Sequence, residues 1–147
     1  MLILCGKTCS GKDTIKRELI ARGLEGVVTY TTRPPRPGEI DGVNYHFITQ
    51  QDFMNKKESG FFLETTSYKV ASGETWFYGT AKDSLKDDSV IIMNPDGIKV
   101  IHRHSELKAK PVIIYIDANE KTILNRLRLR GDNPEEATRR LEADYKC

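Results

Sequence analysis

The residues best suited to do chemistry stand together near the start of the chain, in Gly6-Lys7-Thr8-Cys9-Ser10-Gly11-Lys12-Asp13-Thr14. The spacing from Gly6 to Gly11-Lys12 fits a phosphate-binding loop, G-x-x-x-x-G-K-[ST], at every position but the last. Glycines let the backbone curl until successive N–H groups face inward. The result is a nest for an anion at a helix N-terminus, where the helix dipole also favours negative charge. Lys12 is then placed to reach the terminal phosphates of a nucleotide. Asp13 stands where a serine or threonine hydroxyl would ordinarily meet magnesium. A carboxylate beside a triphosphate needs a cation between them, and magnesium is a hard, oxygen-seeking ion that keeps part of its water. Two readings of Asp13 are therefore open: a magnesium ligand, direct or through water, or an acidic first-turn residue that stabilises the helix.

Arginines form two further groups. Arg33 and Arg36 lie in Thr32-Arg33-Pro34-Pro35-Arg36-Pro37-Gly38-Glu39, where three prolines and a glycine exclude helix and regular sheet and leave a stiff loop presenting two cations. Arg126, Arg128, Arg130, Arg139 and Arg140 surround the junction of the last two helices. A guanidinium fork binds phosphate through two parallel hydrogen bonds and keeps its charge. Two such groups and a phosphate loop suit phosphoryl transfer between two nucleotides, which needs charge neutralisation and in-line positioning. The competing reading for Arg126, Arg128 and Arg139 is pairing with Glu135, Glu136 and Glu142 on a solvated face.

These groups must be held by the elements around them. Met1 to Cys5 is a continuous apolar run, as in a buried parallel strand. A helix from Gly11 puts Ile15, Leu19 and Ile20 on one face and ends at Gly23. Val27 to Thr29 and Asn44 to Ile48 read as strands, and Thr49 caps a short helix. Phe61 to Glu64 and Thr75 to Gly79 read as an antiparallel pair turning at Ser72-Gly73-Glu74. Thr80 to Lys86 reads as a helix, Ser89 to Met93 as a buried strand, and Asn94 to Gly97 as the turn into another helix. Pro111 to Ile116 reads as a buried strand. Asp117 and Glu120 have capping-box spacing for a helix that buries Ile123, Leu124 and Leu127 and stops at Gly131. Asn133, Pro134 and Glu136 open the last helix. Strands alternating with helices predict an α/β fold with a parallel sheet and right-handed crossovers.

The whole chain bounds the reading. Its 147 residues suffice for one domain with a core. The 23 basic and 21 acidic residues, net +2, argue against a general nucleic-acid or membrane binder. No apolar run is long enough for a membrane-spanning helix. Cys5, Cys9 and Cys147 make no even disulfide set and no zinc spacing. With a core strand at the N-terminus in place of a signal peptide, the expected home is the reducing cytoplasm.

The segment from Thr29 through Thr32-Arg33-Pro34-Pro35-Arg36-Pro37-Gly38-Glu39 to Tyr45-His46-Phe47 resembles the GMP-binding segment of guanylate kinases. Phe62-Leu63-Glu64, Tyr78-Gly79-Thr80 and Arg126-Leu127 to Arg130-Gly131 follow in the family's order. The resemblance implies a parallel sheet of the P-loop NTPase type flanked by helices, with a small mixed or antiparallel nucleotide-binding insertion and a helical lid. The single domain 1–147 would divide into a core (1–29 and 80–147), the lid near 126–140, and a GMP-binding insertion at 30–79. It implies transfer of phosphate from ATP to GMP with magnesium. Residues 6–14 would bind ATP. Lys12, Arg33, Arg130 and Arg140 would act on the transferred group. Arg33, Arg36, Tyr45 and Tyr78 would hold the GMP phosphate. Glu64 would read guanine, whose N1–H and N2–H a carboxylate accepts together, and Thr29, Thr80 and Asn94 would bond the base. Asp13 would be the metal residue.

The chain departs from the family in three places. Ile92 and Asn94 stand where the family has aspartates, Glu64 to Tyr78 is longer than usual, and the family continues beyond the position of Cys147 with a strand and helix that help hold adenine. Two other functions stay open: a related P-loop kinase with a different acceptor, and a binding module of the same fold without catalysis.

Overall fold

The computed structural model describes residues 1–70, 72–103, 111–131 and 134–145. In chain order the elements are β1 (Leu2–Cys5), α1 (Lys12–Ala21), β2 (Glu25–Gly26), β3 (Tyr30–Thr31), β4 (His46–Phe47), α2 (Gln50–Glu58), β5 (Phe62–Lys69), β6 (Thr75–Ala81), β7 (Ser89–Ile92), α3 (Pro95–Arg103), β8 (Val112–Tyr115), α4 (Glu120–Arg130) and α5 (Pro134–Tyr145). They form the α/β arrangement read from the sequence. Among the described residues the main sheet runs β2-β7-β1-β8, all parallel, and a second, mixed sheet runs β4-β3-β6-β5.

The apolar runs explain the centre of the main sheet. Leu2 pairs with Val90 on one side and with Val112 on the other, and Ile3, Leu4, Val90 and Ile91 have no solvent exposure. Ile3, Val27, Ile91, Met93 and Ile101 form one cluster beneath α3. The second sheet has its own aromatic core: Phe53 of α2 is fully buried, stacked on Phe62 at 4.6 Å and packed near Phe77 at 5.5 Å.

Several boundaries differ from the sequence reading. The second strand of the main sheet is Glu25–Gly26 and not Val27 to Thr29. Val27 still donates to Val90, but the Thr29 carbonyl already accepts from His46 in the other sheet. The expected helix from Thr80 to Lys86 is absent. Thr80 and Ala81 pair with Glu64 and Phe62 as the end of β6, leaving one 3-10 turn at Lys82–Ser84. Strand Asn44 to Ile48 shortens because the Asn44 side chain closes a turn onto the Ile40 amide. β8 forms where expected, but Val112 to Tyr115 are exposed, not buried, since β8 is the last strand on its side among the described residues.

The α4 cap is Asn119 and not Asp117. Asn119 Oδ1 accepts from the Thr122 amide at 2.8 Å, while Asp117 accepts from Ala118. Ile123 and Leu127 are buried as expected, but Leu124 is 42% exposed. Asn119→Ala is expected to destabilise the protein by about 1 kcal/mol, the usual worth of such a cap. A lower urea midpoint at unchanged slope would show it, and Asp117→Ala should have less effect.

Candidate functional site

The glycine loop leaves β1 and enters α1 with the backbone that an anion nest requires. Gly6 (φ 144°), Cys9 (φ 55°) and Gly11 (φ 110°) alternate with ordinary residues. A side chain at Gly6 is excluded, because a Cβ there would stand 2.2 Å from the Ile116 carbonyl oxygen at the end of β8. Cys9 holds a left-handed conformation that non-glycine residues adopt at a cost, often at functional sites. Ser10 Oγ is buried with no hydrogen-bond partner among the described residues. The Lys12 ammonium crosses the mouth of the loop, donating to the Gly6 carbonyl at 2.8 Å and the Lys7 carbonyl at 2.5 Å.

Two adjoining cavities meet at Gly6 and Lys12. The first, about 370 Å³, runs from Lys7 past Thr29, Glu64, Tyr78 and Thr80 to Asn94. The second, about 220 Å³, gathers Thr8, Arg36, Arg139 and Arg140 around Tyr78. A wider cleft of about 700 Å³ holds Asp13, Arg36, Tyr45, Arg130 and Arg140. Arginines from the proline loop, α4 and α5 therefore converge on the glycine loop from two directions. Of the loop residues, Cys9, Ser10, Gly11 and Thr14 line none of these cavities; Thr14 points to solvent on α1.

The proline loop presents one arginine, not two. Arg36 lines the smaller cavity and the wide cleft, but Arg33 is only 4% exposed. Its guanidinium donates to Glu39 at 2.8 Å and to the Pro34 carbonyl at 2.8 Å, and lies over the rings of Tyr45 and Phe47. Glu39 also accepts from the Arg36 amide at 2.7 Å. Burial works against the Arg33 charge, but the bond to Glu39 together with the field of Tyr78, Glu39 and Tyr45 outweighs it and holds the guanidinium above its ordinary value. Burial likewise pushes Glu39 up, and the bonds from Arg33 and the Arg36 amide reverse this and hold it below the usual carboxylate range. Arg33 thus locks the loop shape from inside. The Tyr45 hydroxyl is pushed up to about 12, first by burial and then by Tyr78, so it remains a donor at neutral pH.

At the far end of the first cavity, Thr80 is 1% exposed and donates its hydroxyl proton to Glu64 Oε1 at 2.6 Å. Its hydrogen is spent on orienting Glu64 and is not available to a base. Burial raises Glu64 above the ordinary carboxylate value, partly opposed by this bond. A Cβ on Gly97 would stand 3.4 Å from Glu64 Oε2 and 3.3 Å from Asn94 Oδ1, so the missing side chain keeps this corner open. Asn94 is already engaged: Oδ1 accepts from the Gly97 amide at 2.7 Å and Nδ2 donates to the Tyr68 hydroxyl.

Sequence reasoning placed most of these groups but missed Tyr68, and it left Arg126 open between a phosphate contact and an ion pair on a solvated face. Tyr68 lines both adjoining cavities. Arg126 Nη1 donates to the Cys9 and Ser10 carbonyls, each at 2.9 Å, and so braces the outer side of the glycine loop. Its spacing of one helical turn from Arg130 was the available signal. Arg128 lines none of the three cavities at the glycine loop.

The chain is similar to known proteins over most of its length. The guanylate kinase family model matches residues 1–145. The chain is 31% identical to the guanylate kinase of Nitratidesulfovibrio vulgaris, over 95% of this chain and 68% of that protein. It is 34% identical to that of Bifidobacterium longum, over 97% and 76%. The crystal structure of guanylate kinase from Anaplasma phagocytophilum superposes with a TM-score of 0.65 at 20% identity, covering 99% of this chain and 72% of that one, a likeness of fold.

Proposed function

The chain belongs to the guanylate kinase family, and from that premise we propose that it transfers the terminal phosphoryl group of ATP to GMP, yielding ADP and GDP. The observation that carries this reading is the meeting of two cavities at Lys12. One ends at the half-buried, hydroxyl-oriented Glu64, and the other is ringed by Arg36, Arg139 and Arg140.

In this reading the unit is one domain. Residues 1–29 and 80–147 form the core, residues 30–79 the acceptor insertion, and residues near 126–140 the lid. The loop amides from Gly6 to Thr14 and the Lys12 ammonium hold the ATP phosphates. Glu64 accepts guanine N1–H and N2–H, and Thr29 bonds the base. Arg36, Tyr45 and Tyr78 hold the GMP phosphate, and Arg33 acts one step back by fixing the loop that carries Arg36. Arg130 and Arg140 close over the moving phosphoryl group, whose charge is spread over its equatorial oxygens.

Magnesium fits the residues present. Among the described residues no cluster of three His, Cys, Asp or Glu side chains could cage a metal. A phosphate-bound magnesium needs only one or two carboxylates beside phosphate oxygens and water. Asp13 is exposed in the first turn of α1 and faces the cleft that Arg36 and Arg130 line. Bound there, the ion would neutralise triphosphate charge. No described helix is long and apolar enough to cross a membrane, and Cys5 and Cys9 are free thiols. The free thiols support our assignment to the cytoplasm.

A coupled assay of ADP release with GMP, AMP, CMP and UMP tests the proposal. Turnover with GMP alone is expected. Turnover with another monophosphate instead would make the protein a related kinase of different acceptor. Turnover with none would make it a binding module of the same fold.

A further inference from the structure

We propose that Tyr68 is a specificity-determining residue that reads the sugar of the acceptor nucleotide, its hydroxyl donating to a ribose hydroxyl. The inference rests on the acceptor site proposed above.

Strand alternation supplies the starting point. Side chains at i, i+2 and i+4 share one face, so Glu64, Thr66 and Tyr68 of β5 look into the same cavity, and all three line it. Tyr68 also lines the smaller cavity, beside Arg36, Arg140 and Lys12. It therefore stands at the join of the two. In a nucleoside monophosphate the sugar separates base from phosphate. With the base at Glu64 and the phosphate at Arg36 and Tyr78, the sugar falls at that join.

The hydrogen bonds decide what Tyr68 offers. Asn94 has its Oδ1 committed to the Gly97 amide, which fixes its amide orientation and turns Nδ2 toward the Tyr68 hydroxyl. Asn94 Nδ2 brings its own hydrogen to the phenol oxygen, so the phenol proton is not spent on Asn94 and is what the group offers a ligand. Burial raises the phenol above its ordinary value, which keeps that proton in place at neutral pH. The ring packs edge-on against Tyr78, centroids 5.7 Å apart, which limits its movement. The group facing the sugar is thus a fixed hydroxyl donor, and a ribose hydroxyl is the acceptor the sugar provides.

The test compares GMP, 2′-deoxy-GMP and 3′-deoxy-GMP in wild type and Tyr68→Phe. Wild type should favour GMP over at least one deoxy analogue by about tenfold in kcat/KM, near the upper range for one neutral hydrogen bond. Tyr68→Phe should lower kcat/KM for GMP by a similar factor, mainly through KM. It should leave that analogue and the KM for ATP unchanged. Equal losses on GMP and both analogues, or no sugar discrimination by wild type, would overturn the inference while leaving the acceptor assignment intact. Failure of wild type to phosphorylate any nucleoside monophosphate would overturn the acceptor assignment and this inference together. The wild-type comparison does not depend on the variant's folding, and a thermal melt of Tyr68→Phe checks its integrity.

Discussion

Lys12→Ala is expected to lower kcat for phosphorylation of GMP by about 10²–10³-fold, the cost of removing one preorganised group from developing transition-state charge. The ammonium spans the loop mouth on the Gly6 and Lys7 carbonyls and lines both cavities, so it stands where donor and acceptor phosphates meet. Its charge is needed most when the phosphoryl group is between nucleotides. The loss should therefore fall on kcat more than on the KM of either substrate. Lys12→Arg should recover little. A planar fork cannot reproduce two bonds from one tetrahedral nitrogen to carbonyls of neighbouring residues. Initial rates over a grid of ATP and GMP concentrations separate kcat from KM, and a thermal melt should find both variants folded. A Lys12→Ala enzyme with near-normal kcat would remove the loop from the reaction.

The parts of the fold legible in the sequence are those whose pattern is local. The apolar runs in β1 and β7 declared buried parallel strands because both faces of a central strand must be apolar. Thr49 and Gly131 declared helix ends through their own side-chain and backbone chemistry. The misreadings came where tertiary partners decide. Thr80 and Ala81 carry no strong local preference, and pairing with β5 drew them into a strand. Asp117 and Asn119 are both good caps, two residues apart, and residue type does not tell which of them meets the free amide of α4, here Asn119. The Pro111 to Ile116 run looks like any central strand, since apolar content does not tell a central position from an edge.

Much the same division holds for the site. Residue type and spacing pointed to Lys12 and Arg36, because phosphate chemistry demands those types, while Glu64 and Tyr78 entered through the resemblance to guanylate kinases. The burial of Arg33 was not legible: its role depends on Glu39 folding back across three prolines to meet it. Arginine types alone cannot tell a phosphate contact from a frame for the loop that makes one. Tyr68 was hidden for a related reason. It belongs to no motif, and its importance arises from the register that sets it against Asn94 across two elements.

Glu64→Gln should be the most selective lesion in the protein. A site built to hydrogen-bond a base through a buried group rejects a base that leaves the group unpaired by about 10⁴–10⁵-fold. The amide keeps one acceptor but sets a donor against a guanine N–H, so kcat/KM for GMP should fall by about 10³-fold or more while KM for ATP holds. The pH dependence supplies a second signature. Burial raises Glu64 above the ordinary carboxylate value, against the opposing bond from Thr80, so the free protein holds this proton to higher pH than an exposed carboxylate would. Its contribution to stability is present below the unfolded value and is lost as pH rises through the raised folded value. GMP recognition runs the other way, since only the carboxylate accepts both N–H groups. The acidic limb of kcat/KM for GMP should therefore lie above the ordinary carboxylate range in wild type and disappear in Glu64→Gln. AMP presents an acceptor at N1, which the carboxylate repels and the amide can meet with its NH2. The variant should consequently narrow the gap between GMP and AMP from both sides. A variant that loses activity on both nucleotides in equal proportion, with the acidic limb unmoved, would show that Glu64 supports the fold and does not read the base.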